Sequence, residues 1–481
     1  MVQEDNTVNN KRFVRDMGWY LLGSIIPMGI GFVKTPIFTR YFTPEEYGYL
    51  GLITITFSYI SIFLYSWLSS CLWRYYNAFR NKSELKGLYS NLFLIFAGTS
   101  LLLLAISLIW VSFAELPLVR NLIILSFFQF LIKEFIGLYL ITLRLEGKAV
   151  TYNLIHSLRA VLTFSLLYVM AFVFHFRITS VLISAIAIDM IVLVVILLFI
   201  RHDVSVSFRL ISRATIRLLF RFGSIGLVSN FFFLLITTSD RYLIAYFTDM
   251  TAVGIYNQVY NICQLSIVAL ATVYFNTINP RLNKELEADF NGSAKLVQDY
   301  LYAFLLFGLP VVTYLSLFPT QIAQILLGEA FRSGYVIMPW IFVSAFFYGL
   351  YLFIELRFKF SDRLKNLAMG VIMASILNVA LNFILIPKFG YQMAAVSTFV
   401  SYTFILIYFF GQDDAGFFRN RLYLRNTLYF ILILLTQVFI DRIARQYFEI
   451  SLWQTIGEGI IFLAIYLVLT RKQIQAVRII I

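Results

Sequence analysis

Tyr152, His156, Arg159 and Thr163 recur at i, i+4, i+7 and i+11 in an otherwise apolar run, TYNLIHSLRAVLTFSLLYVM. That spacing puts all four side chains on one face of a helix. A guanidinium on such a stripe presents a planar fork of donors that suits a phosphate. Arg159 therefore reads either as an anion-binding group lining a wet cavity or as half of a structural ion pair, with Asp189 as its partner. His156 can titrate near neutral pH and is a candidate for proton coupling, the alternative being a hydrogen-bonded structural role. Lys133 and Glu134 are sequence neighbours, about 100° apart around a helix, so they face different ways. Lys133, one turn from Gln129, is read as cavity-lining, with Glu134 as its counter-charge; a structural role for both is the alternative. Amide stripes follow later: Asn257, Asn261 and Gln264 at i, i+4 and i+7, and the pair Asn378 and Asn382. Amides bind sugar hydroxyls, and they also join helices within membranes.

The elements that carry these groups are membrane helices. Of the 481 residues, 60% are hydrophobic and 13% charged, and the mean hydropathy is +0.82. Apolar runs of about 20 residues, the length that spans a bilayer as a helix, recur along the chain. The shorter alternating segments of a membrane barrel are not the pattern. The expected fold is an all-α polytopic membrane protein with about 14 spans. They fall at 17–40, 47–72, 88–113, 120–141, 150–174, 178–200, 223–247, 253–277, 300–319, 335–358, 366–386, 390–411, 427–440 and 452–470. The hydrophilic start, MVQEDNTVNNKRFVRD, has no signal-peptide pattern. Most of the 38 lysines and arginines fall in alternate loops and the tails, which predicts a multi-pass protein of the cell (inner or plasma) membrane with both termini cytoplasmic. The net charge of +13 then reports topology and attraction to anionic lipid, with no nucleic-acid partner. Cys71 and Cys263 lie in separate spans and read as small hydrophobes.

An ionisable group at the centre of a span costs roughly 2.5–3.5 kcal/mol, so depth selects which charges matter. Arg159 and Asp189 lie near mid-span. Asp240 and Arg241, in TTSDRYLIAYFTDMTAVGIY, sit toward the outer end of theirs, as Lys34 does in the first span. These positions are related: Tyr41-Phe42-Thr43 matches Tyr246-Phe247-Thr248, and each YFT is followed by an acidic turn and a Gly-aromatic start, Gly48-Tyr49 or Gly254 with Tyr256. A repeat with an even number of spans between copies implies two lobes of the same orientation. Lys34 and Arg241 then either snorkel to the outer interface or, with Asp240, form a gate across the lobe boundary. Between the lobes, Arg209, Arg213, Arg217 and Arg221 recur every fourth residue, a basic amphipathic helix for the inner membrane surface or a topology-fixing loop. The domain reading is an N-lobe at 1–200, a linker at 201–222, a C-lobe at 223–411 and two further helices with a tail at 412–481. Pro27 and Pro36 mark a first helix able to bend.

The stretches PIFTRYFTPEEYGYL, DRYLIAYFTDMTAVGIYNQVY and ILNVALNFILIPKFGYQMAAVSTFVSY resemble the Wzx-type polysaccharide flippases, in the superfamily of multidrug-extruding MATE transporters and lipid II flippases. Tyr391-Gln392-Met393 replaces the Gly-x-x-Gly usual in that family. The resemblance implies two pseudo-symmetric six-helix lobes around a central cavity, plus two C-terminal helices. It implies alternating-access secondary transport of polyprenyl-pyrophosphate-linked oligosaccharide from the inner to the outer leaflet, for O-antigen or capsule-type assembly, with a polysaccharide polymerase as partner. On that reading the substrate-binding set is Arg159, His156, Tyr152, Lys133, Lys34, Asn257 and Asn261, and the gate or ion-coupling set is Asp240, Arg241, Asp189 and Glu134. The chain has no metal-ligand cluster, nucleotide loop or Walker motif, so no cofactor is expected and the protein is not read as an enzyme. A drug/cation antiporter of the same superfamily would need an acidic cavity. A membrane-embedded glycan polymerase or ligase would need a large outer loop with catalytic groups.

Overall fold

In the computed structural model the described residues are 25–203, 207–290, 292–361, 363–413, 420–447 and 452–480. The amino-terminal tail and residues 17–24 of the first expected span lie outside them. All regular structure among the described residues is helical. Helices are what lipid demands, since every backbone N–H and C=O must find its partner within the segment.

The helices are α1 (Ile25–Phe38), α2 (Pro44–Ser61), α3 (Trp67–Asn81), α4 (Leu85–Phe113), α5 (Pro117–Leu145), α6 (Ala149–Phe172), α7 (Ser180–Asp203), α8 (Arg213–Phe247), α9 (Met250–Ala288) and α10 (Ala294–Leu317), followed by α11 (Pro319–Leu326), α12 (Met338–Phe360), α13 (Leu364–Phe389), α14 (Met393–Gly411), α15 (Arg421–Tyr447), α16 (Leu452–Leu469) and α17 (Arg471–Ile480). Each expected span has its helix. Among the described residues, 11 helices are long and apolar enough to cross a membrane, and a pair bent by 68° at Thr470 brings the number to 12. The second span is one passage, α2 and α3, joined by a π-helical turn at Ile62–Ser66. The thirteenth, short in the sequence reading at 427–440, is the full helix α15.

Contacts divide the chain into two compact units, Met1–Ala245 with Asp249–Gly254, and Tyr246–Thr248 with Ile255–Ile481. Helix α8 up to Ala245 thus belongs to the first unit. It begins at Arg213, ahead of the expected span at 223, because nothing between the basic segment and the span, least of all a proline, stops the helix. The preceding turn is pinned to α4: Asn91 donates to the Leu210 carbonyl (3.1 Å), the Ser212 N–H donates to Asn91 (3.0 Å), and the Ser207 N–H donates to Ser90 (2.9 Å).

The two repeated acidic turns are N-caps. Thr43 and Glu46 form a reciprocal capping box at the start of α2, with Pro44 in the first turn. Asp249 accepts from the Ala252 N–H (2.7 Å) at the start of α9. Between these turns the paired glycines cross closely. A β-carbon on Gly48 would overlap the Met250 carbonyl oxygen, and one on Gly254 would overlap the Pro44 carbonyl oxygen. The repeated Gly is therefore a requirement of backbone approach.

In the second unit, α14 packs against α12 and α13 and buries the small residues Ala394, Ala395, Ser397, Thr398 and Ser401, while on α13 Asn382 donates to Asn378 (3.0 Å) with both side chains buried. Gly390, at φ +86°, ends α13 and turns the chain into α14. Helices α15 and α16 dock on α10 through a polar ladder. Tyr423 donates to Asp299, Tyr314 to Gln437 (2.7 Å), and Tyr466 to the Leu306 carbonyl (2.8 Å).

Candidate functional site

A cavity of about 300 Å³ opens in the first unit between α1, α6 and α7, the lower end of the range for small-ligand sites. Pro27, Gly31 and Lys34 line it from α1, His156, Arg159 and Thr163 from α6, and Ala185 and Asp189 from α7. His156, Arg159 and Thr163 of the predicted stripe on the fifth span thus share one cavity with Lys34 of the first span and Asp189 of the sixth, and Tyr152 is not among the lining residues.

Arg159 and Asp189 pair as a fork. Nε donates to Oδ1, and Nη2 donates to Oδ2 at 2.6 Å. Asp189 is 1% exposed and Arg159 21%, so the carboxylate is sealed while the guanidinium still meets the cavity. Lys34 has no hydrogen-bond or ion-pair partner among the described residues. The fork is neutral as a pair, which leaves Lys34 to set the sign of the site. When protonated, its amine adds a positive charge to the cavity beside the neutral fork, a group with which an anion can pair. Pro27, which lacks a backbone N–H, sits on the cavity-lining face of the same helix.

Tyr152 stands one turn from His156, the rings stacked at 5.9 Å and 18°. Lys133 lies outside this cavity: it is exposed on α5, its ammonium 4.8 Å from the Phe130 ring centroid. Glu134 accepts from Ser61 (2.7 Å) beside the π turn, in place of the expected pairing with Lys133. Asn257 and Asn261 lie on α9 in the second unit, half-buried and exposed respectively.

The structure departs most from the sequence reading at Asp240 and Arg241. Arg241 donates to Asp240 at 2.6 Å and to the Thr237 carbonyl, and the two side chains are 0% and 2% exposed. Burial at that level rules out snorkelling of Arg241. Thr238 donates to Tyr59 (2.9 Å), and the Thr56 and Tyr242 hydroxyls are 2.6 Å apart, so α2 closes over the pair. Lys34 pairs with neither residue and points to the α6–α7 cavity.

Sequence reasoning missed several partners. Arg357 and Asp413 form a buried ion pair in the second unit; each stands at the edge of a span, where a charge reads as loop. Arg177 donates to Glu46 (2.9 Å) and Tyr41 to the Ala171 carbonyl (2.7 Å), tying the turn between α1 and α2 to the end of α6. Arg445 bridges Asp441 (2.7 Å) and Glu458 (3.3 Å) between α15 and α16. The i, i+4 spacing of Asp441 and Arg445 was a legible signal. Both cysteines are free and buried, and Cys71 donates to the Leu219 carbonyl.

Comparison with known proteins gives a consistent picture. The family described as polysaccharide biosynthesis protein matches the chain over residues 13–285. An uncharacterized membrane protein of Methanocaldococcus jannaschii is 22% identical over 95% of this chain and 94% of its own length. Among solved structures, lipid II flippase MurJ in an inward closed conformation superposes with a TM-score of 0.67 at 18% identity, covering 94% of this chain and 98% of that one. An inward-facing multidrug resistance MATE family transporter of the MOP superfamily does so with a TM-score of 0.60 at 15% identity, covering 81% and 93%. These are likenesses of fold.

Proposed function

The chain belongs to the polysaccharide biosynthesis protein family, and from that premise we propose that it is a flippase rather than an enzyme. It carries polyprenyl-pyrophosphate-linked oligosaccharide from the inner to the outer leaflet by alternating access, for O-antigen or capsule-type assembly. It does so as a two-lobed transporter of the cell membrane with both termini cytoplasmic, the lobes spanning 1–200 and 223–411, the linker 201–222 and the added helices 412–481. The observation that carries this reading is the cavity in which Lys34, without a partner among the described residues, lies beside the Arg159–Asp189 fork. A pyrophosphate meets there the Lys34 side chain and the guanidinium N–H groups of Arg159 that Asp189 does not engage, both of types suited to phosphate oxygens. The amides Asn257 and Asn261 suit an uncharged glycan. Likeness of fold to the lipid II flippase MurJ adds support.

A drug/cation antiporter is the second reading, favoured by the likeness to MATE transporters and by the carboxylate of Asp189. The uncompensated Lys34 favours an anionic cargo instead. Purified protein in vesicles loaded with lipid-linked oligosaccharide decides the matter. The expected result is leaflet-to-leaflet movement that Arg159→Ala abolishes. Full movement by that variant removes Arg159 from the site, and transport of hydrophobic cations alone overturns the flippase reading.

A further inference from the structure

None of the residues lining the cavity comes from the basic segment ahead of α8, yet the protein holds that segment in a fixed frame. Its helical turn at Phe208–Leu210 hangs on two side chains of α4, Ser90 and Asn91, each 1% exposed. They accept from the Ser207 and Ser212 N–H groups (2.9 and 3.0 Å), and Asn91 also donates to the Leu210 carbonyl (3.1 Å). The first turns of α8 are held by α3. Cys71 donates to the Leu219 carbonyl (3.3 Å), and the Phe220 ring lies 4.6 Å from that of Trp67.

This frame presents cations and apolar groups together. Arg209, Arg213 and Arg217 are exposed and have no hydrogen-bond or ion-pair partner among the described residues. Beside them Phe208 is 74% exposed and Leu210 44%. Depth follows from length: α8 runs for 35 residues, about 50 Å, against about 30 Å of hydrocarbon. The end that carries Arg213 and Arg217 therefore reaches the level of lipid headgroups. Arg80, Lys82 and Lys86, in the connection from α3 to α4, are also exposed, with Glu84 the acid among them. A phosphodiester in the headgroup layer finds guanidinium donors there and little opposing charge.

We propose that residues 208–217 form a binding surface for anionic phospholipid, with the arginines on the headgroup phosphates and Phe208 and Leu210 in the acyl-chain boundary. The surface does not depend on what the cavity carries. A free phosphate gains nothing from the uncovered Phe208 and Leu210, so a lipid is the occupant that the whole surface fits. A loop that merely fixes topology needs the charges and not the frame; here two buried polar side chains are committed to the frame.

The test equilibrates the immobilised full chain, in detergent, with equal amounts of phosphatidylglycerol and phosphatidylcholine of the same acyl chains, and counts the lipid retained. The unaltered protein is expected to prefer phosphatidylglycerol by about tenfold at low salt. Most of that preference should vanish between about 0.01 M and about 1 M salt, as the screening length falls from roughly 30 Å to roughly 3 Å. Replacing Arg209, Arg213 and Arg217 together by Gln is expected to cut the preference about fivefold, and replacing them by Lys to keep it within about twofold. Phe208→Ser with Leu210→Ser should lower retention of both lipids about threefold and leave their ratio unchanged. Asn91→Ala keeps every charge and releases the turn, and should cut the preference about threefold. Melting temperatures separate these losses from loss of the fold, and the salt series on the unaltered protein decides the matter if a variant does not fold. Equal retention of the two lipids by the unaltered protein, a preference that salt does not touch, or a triple Gln variant that keeps it overturns the surface. No effect of Asn91→Ala also overturns it, leaving attraction by net charge alone.

Discussion

Asp189 receives Arg159 through both of its carboxylate oxygens, and this fork joins α6 to α7 at the wall of a cavity that Lys34 also lines. Taking one partner from a buried pair leaves a charge that lipid and helix cannot solvate. Asp189→Ala is expected to destabilise the protein by about 3–5 kcal/mol, and Arg159→Leu with Asp189→Leu by clearly less. Thermal unfolding in detergent, run as a double-mutant cycle, measures the difference. Equal stability of Asp189→Ala and the unaltered protein would mean that the fork holds nothing together.

Lys34 sets the charge of the cavity, so its replacement should act on binding and leave folding almost alone. Lys34→Gln is expected to weaken a diphosphate-bearing lipid about tenfold, or about 1.4 kcal/mol, while Lys34→Arg keeps it within about threefold. Direct binding measurements at low and high salt check this. The affinity of the unaltered protein should change little with salt, since the ammonium sits inside the helices where screening is weak.

The crossing of Gly48 and Gly254 leaves no room for a side chain. Gly254→Val drives a β-carbon into the Pro44 carbonyl, and Gly48→Val does the same at Met250. Each is expected to cost at least about 1–3 kcal/mol, because a backbone carbonyl cannot rotate away as a flexible side chain would. Fluorescence-detected size exclusion of the two variants, with Gly87→Val as control, reads this out. Gly87 has open space around its β-position, so an equal loss in the control would refute the steric account.

Arg357 and Asp413 offer a parallel test in the second unit. Arg357→Met takes the guanidinium away from the Asp413 carboxylate, which is 1% exposed, and is expected to lower stability by up to about 3–5 kcal/mol; adding Asp413→Leu should recover part of the loss. A double variant no more stable than the single one would show that Asp413 has other partners strong enough to replace Arg357.

The helices were legible in the sequence because their cause is local. Hydropathy over about 20 residues decides whether a segment enters lipid, and lipid then imposes the helix. The stripe from Tyr152 to Thr163 was legible for the same reason, since helical periodicity is a property of one segment. Asp189 was legible as a partner of Arg159 because the fifth and sixth spans are consecutive and both residues lie near mid-depth. The repeated YFT turns pointed to a repeated position, and the close crossing of Gly48 with Gly254 follows from it.

Where the sequence reading went astray, the missing information was which side chains meet. Arg241 looked free to reach the outer interface, yet it folds back on the Thr237 carbonyl and its own neighbour Asp240 while α2 covers them. Lys34 looked like a partner for that pair and instead shares a cavity with Arg159. Glu134 found Ser61, Arg357 found Asp413, and Arg144 came to lie 5.3 Å from the ring centroids of both Trp73 and Tyr152. The sequence by itself determined that apolar segments cross the membrane as helices, roughly where they lie, and which polar residues share a face. Only the tertiary structure decided which charges are paired and which stays open to a ligand, because a buried charge is satisfied by whatever lies within a few ångströms, and that neighbour is chosen by how separate helices pack.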